Sequence, residues 1–281
     1  MTIKIMINGL PGNMAAEVTR AAAEHDLFEI IPHALTGPEI TDTEYEIAGI
    51  TFGLILPAAR EEAVAELKEA HGDFISIDFS HPSAVNDNAA FYCSQKLPFV
   101  MGTTGGDRET LAQAAADSGV GAVIAPNMAK QIVGLQMMLE YAAENFPGLF
   151  SGYAMQLEES HQAGKADTSG TAKAMVGYFN RMGIPFDVND IVKVRDPETQ
   201  KNEWRVPEDD LKGHAYHTYA LGSEDGTVDV QFRHNVRGRR VYALGTLDAV
   251  RFLHDRIGRG EAGLYSMLDV LRSGAMGGDA G

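Results

Sequence analysis

The densest run of chemistry-bearing side chains in this chain is Glu158-Glu159-Ser160-His161-Gln162-Ala163-Gly164-Lys165-Ala166-Asp167-Thr168-Ser169-Gly170-Thr171-Ala172. A strand pattern ends there, a glycine-bearing loop carries His161 and Lys165, and Ser-Gly-Thr opens a helix. The first amides of a helix have no intrahelical acceptor. With the two hydroxyls of Ser169 and Thr171 beside them they form an anion site suited to a carboxylate. Lys165 adds a full positive charge and a transferable proton. His161 can orient, or donate to, an oxygen or nitrogen of a substrate. Taken singly, Ser169 also reads as a plain helix cap and Lys165 as a solvated loop lysine. Together, in a chain that also carries a cofactor loop, they read as a site.

That cofactor loop is Asn8-Gly9-Leu10-Pro11-Gly12-Asn13-Met14-Ala15, which follows the apolar run from Ile3 and precedes an alanine-rich helix. Gly9 permits a tight turn, Gly12 lets backbone approach a pyrophosphate, and the small Ala15 lets the helix pack on the strand. The helix N-terminus offers free N–H groups to the anion. This marks a nicotinamide dinucleotide. The next strand should say which one, because NAD sites place Asp or Glu about 20 residues past the loop. Here the strand ends His33-Ala34-Leu35-Thr36-Gly37, and Glu29 and Glu39 stand to either side of the tip. Thr36, Asn13 and His33 are the available donors, so NADPH is the expected preference, with NADH as the other cofactor.

These loops need a scaffold. Short apolar runs at Ile3–Asn8, Phe28–Leu35, Phe52–Leu56, Phe74–Phe79, Phe99–Gly102 and Val120–Ala125 alternate with helical patterns at 13–25, 59–70, 83–95 and 108–118. Strand, helix, strand in this rhythm predicts parallel strands with right-handed crossovers, a Rossmann-type α/β domain. Ligands then lie beyond the carboxyl ends of the strands. The turns Gly102-Thr103-Thr104-Gly105 and Ala125-Pro126-Asn127-Met128 sit at such ends. Beyond Asn127, an N-cap for a helix to Asn145, the pattern changes. A strand at 152–160, a helix at 169–182, and a hairpin of 214–221 and 227–235 predict an α+β domain with a mainly antiparallel sheet. Val228, Val230, Phe232 and His234 share one face of that hairpin. Thr246 is expected to cap a helix to about Ile257, and Leu264–Leu271 reads as a last helix. The small, polar tail from Ser273 to Gly281 reads as disordered.

Composition bounds what such a protein can be. With 281 residues, 44% of them hydrophobic and 22% charged, it has room for a sizeable core. A net charge of −16 argues against general nucleic-acid binding, while a local cluster of cations can still attract a dianion. No apolar run is long enough for a membrane span. The N-terminus reads as neither a signal nor a transit peptide, so a cytoplasmic location is expected. Cys93 is the one cysteine, which excludes an intrachain disulfide and a multi-cysteine metal site; no metal is expected.

The run ESHQAGKADTSGTAKA resembles the E-x-H-x-x-x-K-x-D-x-SGTA signature of dihydrodipicolinate reductases, and the resemblance extends over nearly the whole chain. It takes in the glycine loop, Asp78-Phe79-Ser80, Gly102-Thr103-Thr104-Gly105, the Ala125–Met128 turn, and the segments GHAYHTYAL and FRHNVRGRRVYALGT. The late segments are similar to the plant-type branch. The resemblance implies reduction of a cyclic unsaturated dicarboxylate by NADH or NADPH in lysine and diaminopimelate biosynthesis. It implies Lys165 as general acid with His161 beside it. It places the carboxylate cradle at Ser169, Gly170 and Thr171, with Gln162 and His234 also on the substrate. It implies cofactor contacts at Gly9, Gly12, Asn13, Met14, Thr36, Asp78, Phe79, Gly102, Thr104, Ala125, Asn127 and Met128. It further implies that 1–127 and about 241–272 form the dinucleotide domain and 128–240 the substrate domain, and that the chain is a homodimer or homotetramer through the latter. Three positions depart from the pattern. Gln162 stands where common bacterial members have a second histidine, Asn13 stands where Arg or Lys is usual, and the acidic residue after the second strand is missing. Two rival readings are a semialdehyde dehydrogenase, which would need Cys93 as nucleophile, and a dinucleotide sensor without catalysis.

Overall fold

The computed structural model describes residues 2–274. In chain order its elements are β1 (Ile3–Asn8), α1 (Asn13–Ala23), β2 (Phe28–Ile30), β3 (His33–Leu35), β4 (Glu44–Ile47), β5 (Ile50–Ile55), α2 (Arg60–His71), β6 (Ile75–Asp78), α3 (Val85–Ser94), β7 (Phe99–Met101), α4 (Arg108–Ser118) and β8 (Ala122–Ile124). They continue with α5 (Lys130–Asn145), β9 (Tyr153–His161), α6 (Gly170–Arg181), β10 (Val192–Val194), α7 (Pro197–Asn202), β11 (Ala215–Ser223), β12 (Asp229–Val236), α8 (Arg240–Gly258), β13 (Leu264–Tyr265) and α9 (Met267–Arg272). The chain divides into two compact units, Met1–Lys130 with Arg240–Gly281, and Gln131–Arg239.

The first unit is built on six parallel strands in the order β13-β8-β7-β6-β1-β2. β1 and β6 are almost wholly buried, as parallel strands covered on both faces must be. The order reverses between β1 and β6, and the crevice at that point is where ligands bind in such sheets. α1 turns Ala15, Ala16, Val18, Thr19, Ala21 and Ala22 inward; mostly small residues let it lie close on the sheet.

The second unit carries a four-stranded sheet, β10-β9-β11-β12, with β9 parallel to β10 and antiparallel to β11, which pairs antiparallel with β12. One face is apolar along most of its length. Met155 and Leu157 of β9 and Tyr219 and Leu221 of β11 pack with Met175, Val176 and Phe179 of α6.

Several elements differ from the sequence reading. The run 28–35 is not one strand. Pro32 lacks the ladder donor, and the chain leaves β1 after Ile30, so that β3 joins a separate three-stranded sheet β3-β5-β4. β4 was not foreseen; it pairs with β5 across a tight turn at Ala48 and Gly49, both with positive φ. β10 and α7 were not foreseen either. Thr246 does not cap a helix: α8 begins at Arg240, and the Thr246 hydroxyl donates back to the Tyr242 carbonyl at 2.8 Å. The last expected helix starts at Met267 behind a capping box of Ser266 and Asp269. Ser273 and Gly274 form a turn, and 275–281 of the expected tail lie outside the described residues. No helix among the described residues is long and apolar enough to cross a membrane.

Candidate active site

In the first unit, β1 ends at the glycine loop. Gly9 has φ of +98°, and a Cβ on it would strike the Phe79 carbonyl. A Cβ on Gly12 would lie 2.6 Å from the Gly9 carbonyl oxygen, which itself accepts the Gly12 amide at 2.8 Å. The loop is therefore bare backbone leading into the N-terminus of α1, a surface that accepts a pyrophosphate. It opens onto a cleft of about 940 Å³ lined by Leu10, Thr36, Glu39, Arg60 and Phe79 among others. Asn13 begins α1 and is exposed, with Met14 half-buried behind it.

Two charged groups in this cleft correct the sequence reading. The turn after Thr36, closed by the Ile40 amide on the Gly37 carbonyl at 3.2 Å, returns Glu39 to the cleft and over Gly37. Arg60 enters from the start of α2, stacked 4.4 Å from the Phe91 ring centre. A carboxylate and a guanidinium thus stand where neither was expected, and the basis for a preference between the two dinucleotides falls away. Thr36 gives its hydroxyl proton to the Leu10 carbonyl at 2.8 Å, and His33 packs over Gly53.

Asp78, at the end of β6, is also corrected. Its Oδ1 accepts the Ser80 amide and hydroxyl and the Thr103 hydroxyl. Its Oδ2 accepts the Tyr92 hydroxyl at 2.7 Å and the Asn88 amide at 3.0 Å. With both oxygens saturated by protein donors, it anchors the turns rather than meeting a cofactor. It holds Phe79 beside Gly9 and fixes Thr103, while Thr104 next to it is exposed and the Gly102 amide bonds the Asp78 carbonyl at 3.0 Å. At the end of β8, Ala125 and Met128 are buried, and the Asn127 side chain accepts the Ala129 amide at 2.9 Å, capping the approach to α5.

In the second unit, the apolar face of the sheet turns polar at one end. Period-two alternation along β9 puts Glu159 and His161 on the face that begins with Met155 and Leu157. Glu159 stands directly opposite His217 on β11, which stands opposite His234 on β12. The His217 and His234 rings stack at 4.6 Å, His161 meets His217 edge-on at 5.0 Å, and the His234 Nε2 lies 3.3 Å from the Tyr219 hydroxyl. Glu159 is wholly buried. Its Oε1 accepts Arg195 Nη2 at 2.5 Å, and its Oε2 accepts the Ser169 amide at 3.0 Å. Arg195 also donates to the carbonyls of Lys165 at 2.8 Å and Glu159 at 3.2 Å. One guanidinium therefore ties the end of β9 to the loop that carries the lysine.

Ser169 caps α6 with its hydroxyl, and Gly170 and Thr171 form its first turn, with Gly170 exposed. Gln162, half-buried just past β9, accepts the Lys165 amide on its carbonyl at 3.0 Å. The Lys165 ammonium pairs with the exposed Asp167 carboxylate at 2.8 Å, a contact easily exchanged for another anion. Burial, with Arg195 and Lys165 close by, pushes His161 down to about 3. Burial alone pushes His234 down to about 4, and burial with His234 nearby holds His217 well below the usual histidine range. All three shifts favour the uncharged ring, beside a lysine that forms an ion pair with Asp167. Glu159, His161 and His217 offer ligand atoms within 4.8 Å of one another. Arg195 holds one oxygen of Glu159 and Lys165 adds a second positive charge, so a dication would meet repulsion there.

The sequence reading gave no role to Glu159, Arg195 or His217, although Glu159 opens the E-x-H pattern and His217 lies in GHAYHTYAL. An acidic residue on the buried face of a strand is itself a signal, and β9 shows it at Glu159. Arg195 carries no local signal, because its partners lie 30 and 36 residues away. Cys93 is packed in the core on α3, with no place for a nucleophile, which removes the semialdehyde dehydrogenase reading.

A parallel sheet with a glycine loop at its reversal point, joined to a unit that gathers a lysine, a histidine and an anion-binding helix start, defines an oxidoreductase that uses a nicotinamide dinucleotide. The sequence matches the dihydrodipicolinate reductase N-terminus over residues 3–128 and the dihydrodipicolinate reductase C-terminus over residues 132–271, and the chain belongs to that family. It is 44% identical over 273 residues to the probable 4-hydroxy-tetrahydrodipicolinate reductase 1, chloroplastic, of Oryza sativa subsp. japonica, covering 97% of this chain and 79% of that protein. It is 43% identical over 275 residues to 4-hydroxy-tetrahydrodipicolinate reductase 1, chloroplastic, of Arabidopsis thaliana, covering 98% and 79%. The dipicolinate-bound dihydrodipicolinate reductase of Paenisporosarcina sp. TG-14 has the same fold, with a TM-score of 0.65 at 19% identity over 95% of this chain and 98% of that one. The cytoplasmic location expected from the N-terminus is overturned by these comparisons, because similar plant relatives are named chloroplastic.

Proposed function

We propose that this chain reduces 4-hydroxy-tetrahydrodipicolinate to tetrahydrodipicolinate in lysine and diaminopimelate biosynthesis. The observation that carries the reading is the start of α6. Ser169, Gly170 and Thr171 present an anion-binding turn beside a cationic Lys165 and a neutral His161, in a chain of this family. In this reading one substrate carboxylate sits on the first turn of α6, where the exposed Gly170 and the positive end of the helix favour it. Gln162 and His234 contact the remainder of the substrate.

The dinucleotide, when bound, supplies hydride to a ring carbon. Gly9, Gly12, Asn13 and Met14 hold its pyrophosphate on bare backbone, with Thr36 and Phe79 along the cleft. The turns at Gly102, Thr104, Ala125, Asn127 and Met128 serve its reactive end. Glu39 suits the ribose hydroxyls of NADH and Arg60 the extra phosphate of NADPH, so both dinucleotides are accepted. The 4-hydroxyl leaves with a ring proton as water, giving the conjugated unsaturated dicarboxylate, and Lys165 delivers the proton that balances the hydride added to it. It leaves Asp167 for the substrate, and a positioned acid of this kind contributes ~100- to 10,000-fold. His161, uncharged, holds a substrate oxygen or nitrogen rather than protonating it. The partner of the second unit is a further copy of the chain, to which α5 and the turn after it present exposed Met138, Tyr141, Phe146 and Leu149.

The test is a coupled assay in which a dihydrodipicolinate synthase generates the substrate and loss of reduced-nicotinamide absorbance is followed, with NADH and NADPH in separate runs. Turnover with either supports the reading. Tight dinucleotide binding with no turnover would leave a sensor and refute it.

A further inference from the structure

The carboxylate of Glu159 has a neighbour on each oxygen that it does not yet bond. His161 Nδ1 stands 3.8 Å from Oε1, and His217 Nε2 stands 3.8 Å from Oε2. Both nitrogens are buried and have no hydrogen-bond partner. A hydrogen bond needs about 2.7–3.2 Å, so each ring is under about 1 Å from a bond with a group that is already held in place. Arg195 and the Ser169 amide supply that hold, one on each oxygen. Each oxygen keeps acceptor capacity for one more donor.

We propose that Glu159 is a positioning residue, whose two oxygens decide which ring nitrogen of His161 and which of His217 carries the proton when the dicarboxylate binds. The inference rests on the reaction proposed above. It assigns the proton of His161 to Nδ1 and that of His217 to Nε2. The Nε2 of His161 is then left with a lone pair, an acceptor for a substrate hydroxyl or for the Lys165 ammonium. A neutral ring has two tautomers, and the partner of one nitrogen sets the state of the other. The charged and titratable groups facing His161 are Glu159, Arg195, Lys165, His214, His217 and Asp167, and those facing His217 are Glu159, His234, His161, Tyr219, Arg195 and Lys165. Burial, and after it the nearby cations, disfavours a charged imidazole at either place, so the tautomer is what remains to be chosen.

The experiment is nitrogen NMR of the full-length protein with labelled histidine, with and without dipicolinate, together with kinetics of Glu159→Gln and Glu159→Asp. The wild-type spectra are expected to show His161 protonated at Nδ1 and His217 at Nε2, with both hydrogen bonds tightening when dipicolinate is added. Glu159→Gln, whose amide can donate as well as accept, should mix the tautomers and lower kcat by about 10- to 100-fold. Most of that loss is expected in kcat rather than in the dicarboxylate KM. Glu159→Asp keeps the charge and should recover part of it. A wild-type His161 protonated at Nε2 overturns the proposal without any variant. So does a folded Glu159→Gln with unchanged kcat, or one with lowered kcat and both tautomers intact. Failure of the wild-type chain to turn over refutes the reaction, whereas the tautomers are read without turnover and test Glu159 separately.

Discussion

Below about pH 6 this protein should lose stability through its histidines. His161 is held down to about 3 and His234 to about 4, against an ordinary 6.5, chiefly because burial opposes the charged ring. In the unfolded chain both rings take a proton near pH 6.5; in the fold neither does until far lower. Between those limits the unfolded state binds more protons, so the free energy of unfolding falls as the pH falls. The stability tied to these two rings is fully present above 6.5 and is lost on the way down towards 4 and 3. At about pH 4.5 the separation is roughly two units for each ring, at ~1.36 kcal/mol per unit. That gives at most about 2.7 kcal/mol each, or about 5 kcal/mol for the pair, against a typical domain stability of ~5–15 kcal/mol. The assay is urea unfolding at about pH 7 and about pH 4.5, on the wild type and on His161→Gln/His234→Gln. The double variant should start lower at neutral pH, through lost packing, yet show a shallower pH dependence by up to two protons. Equal slopes for the two proteins would refute the argument that these rings are buried neutral.

Four other substitutions follow from the site. Lys165→Met should lower kcat by about 100-fold or more, with dinucleotide affinity by calorimetry unchanged; near-normal kcat would return the proton to water or His161. Thr171→Val removes a hydroxyl from the first turn of α6 and should raise the dicarboxylate KM by about tenfold, as the loss of one hydrogen bond to a charged group implies, with NADPH binding unaltered. Glu39→Gln should weaken NADH, seen as a higher KM, and spare or improve NADPH, while Arg60→Gln should do the reverse; a cofactor ratio insensitive to both would remove these residues from the ribose end of the cleft.

The sequence showed the scaffold well where local patterns decide it. The parallel strands of the first unit, the glycine loop and the start of α6 all announce themselves within a dozen residues. It failed where a remote partner decides. Pro32 was readable as a break in the run 28–35, but that β3 then pairs with β5 depends on a strand about 20 residues on. Glu39 was set aside by counting residues, and the turn at Gly37 undid the count. His161, Lys165 and Ser169 were singled out because they share one short segment. Glu159 lay in the same segment and was passed over, since its importance comes from His217 on β11 and from Arg195 after β10. Asp78 was assigned to the cofactor through the resemblance alone. Here Tyr92, Asn88 and Thr103, all remote in sequence, occupy it first.

The first unit is interrupted: its chain departs after Lys130 and resumes at Arg240. What resumes is α8, whose Asp248 forms an ion pair with Lys130, and β13, which closes the sheet against β8. During synthesis, therefore, a nascent chain that has emerged only as far as residue 239 still lacks its edge strand. β8 is left with an open row of backbone donors and acceptors, and the sheet face meant for α8 is bare. Unpaired strand edges and uncovered apolar surface are what make partly made proteins associate with one another. The first unit is begun before the second and completed after it, so its assembly waits for more than a hundred intervening residues, and through that interval an open strand edge and a bare sheet face stand ready to pair with other chains.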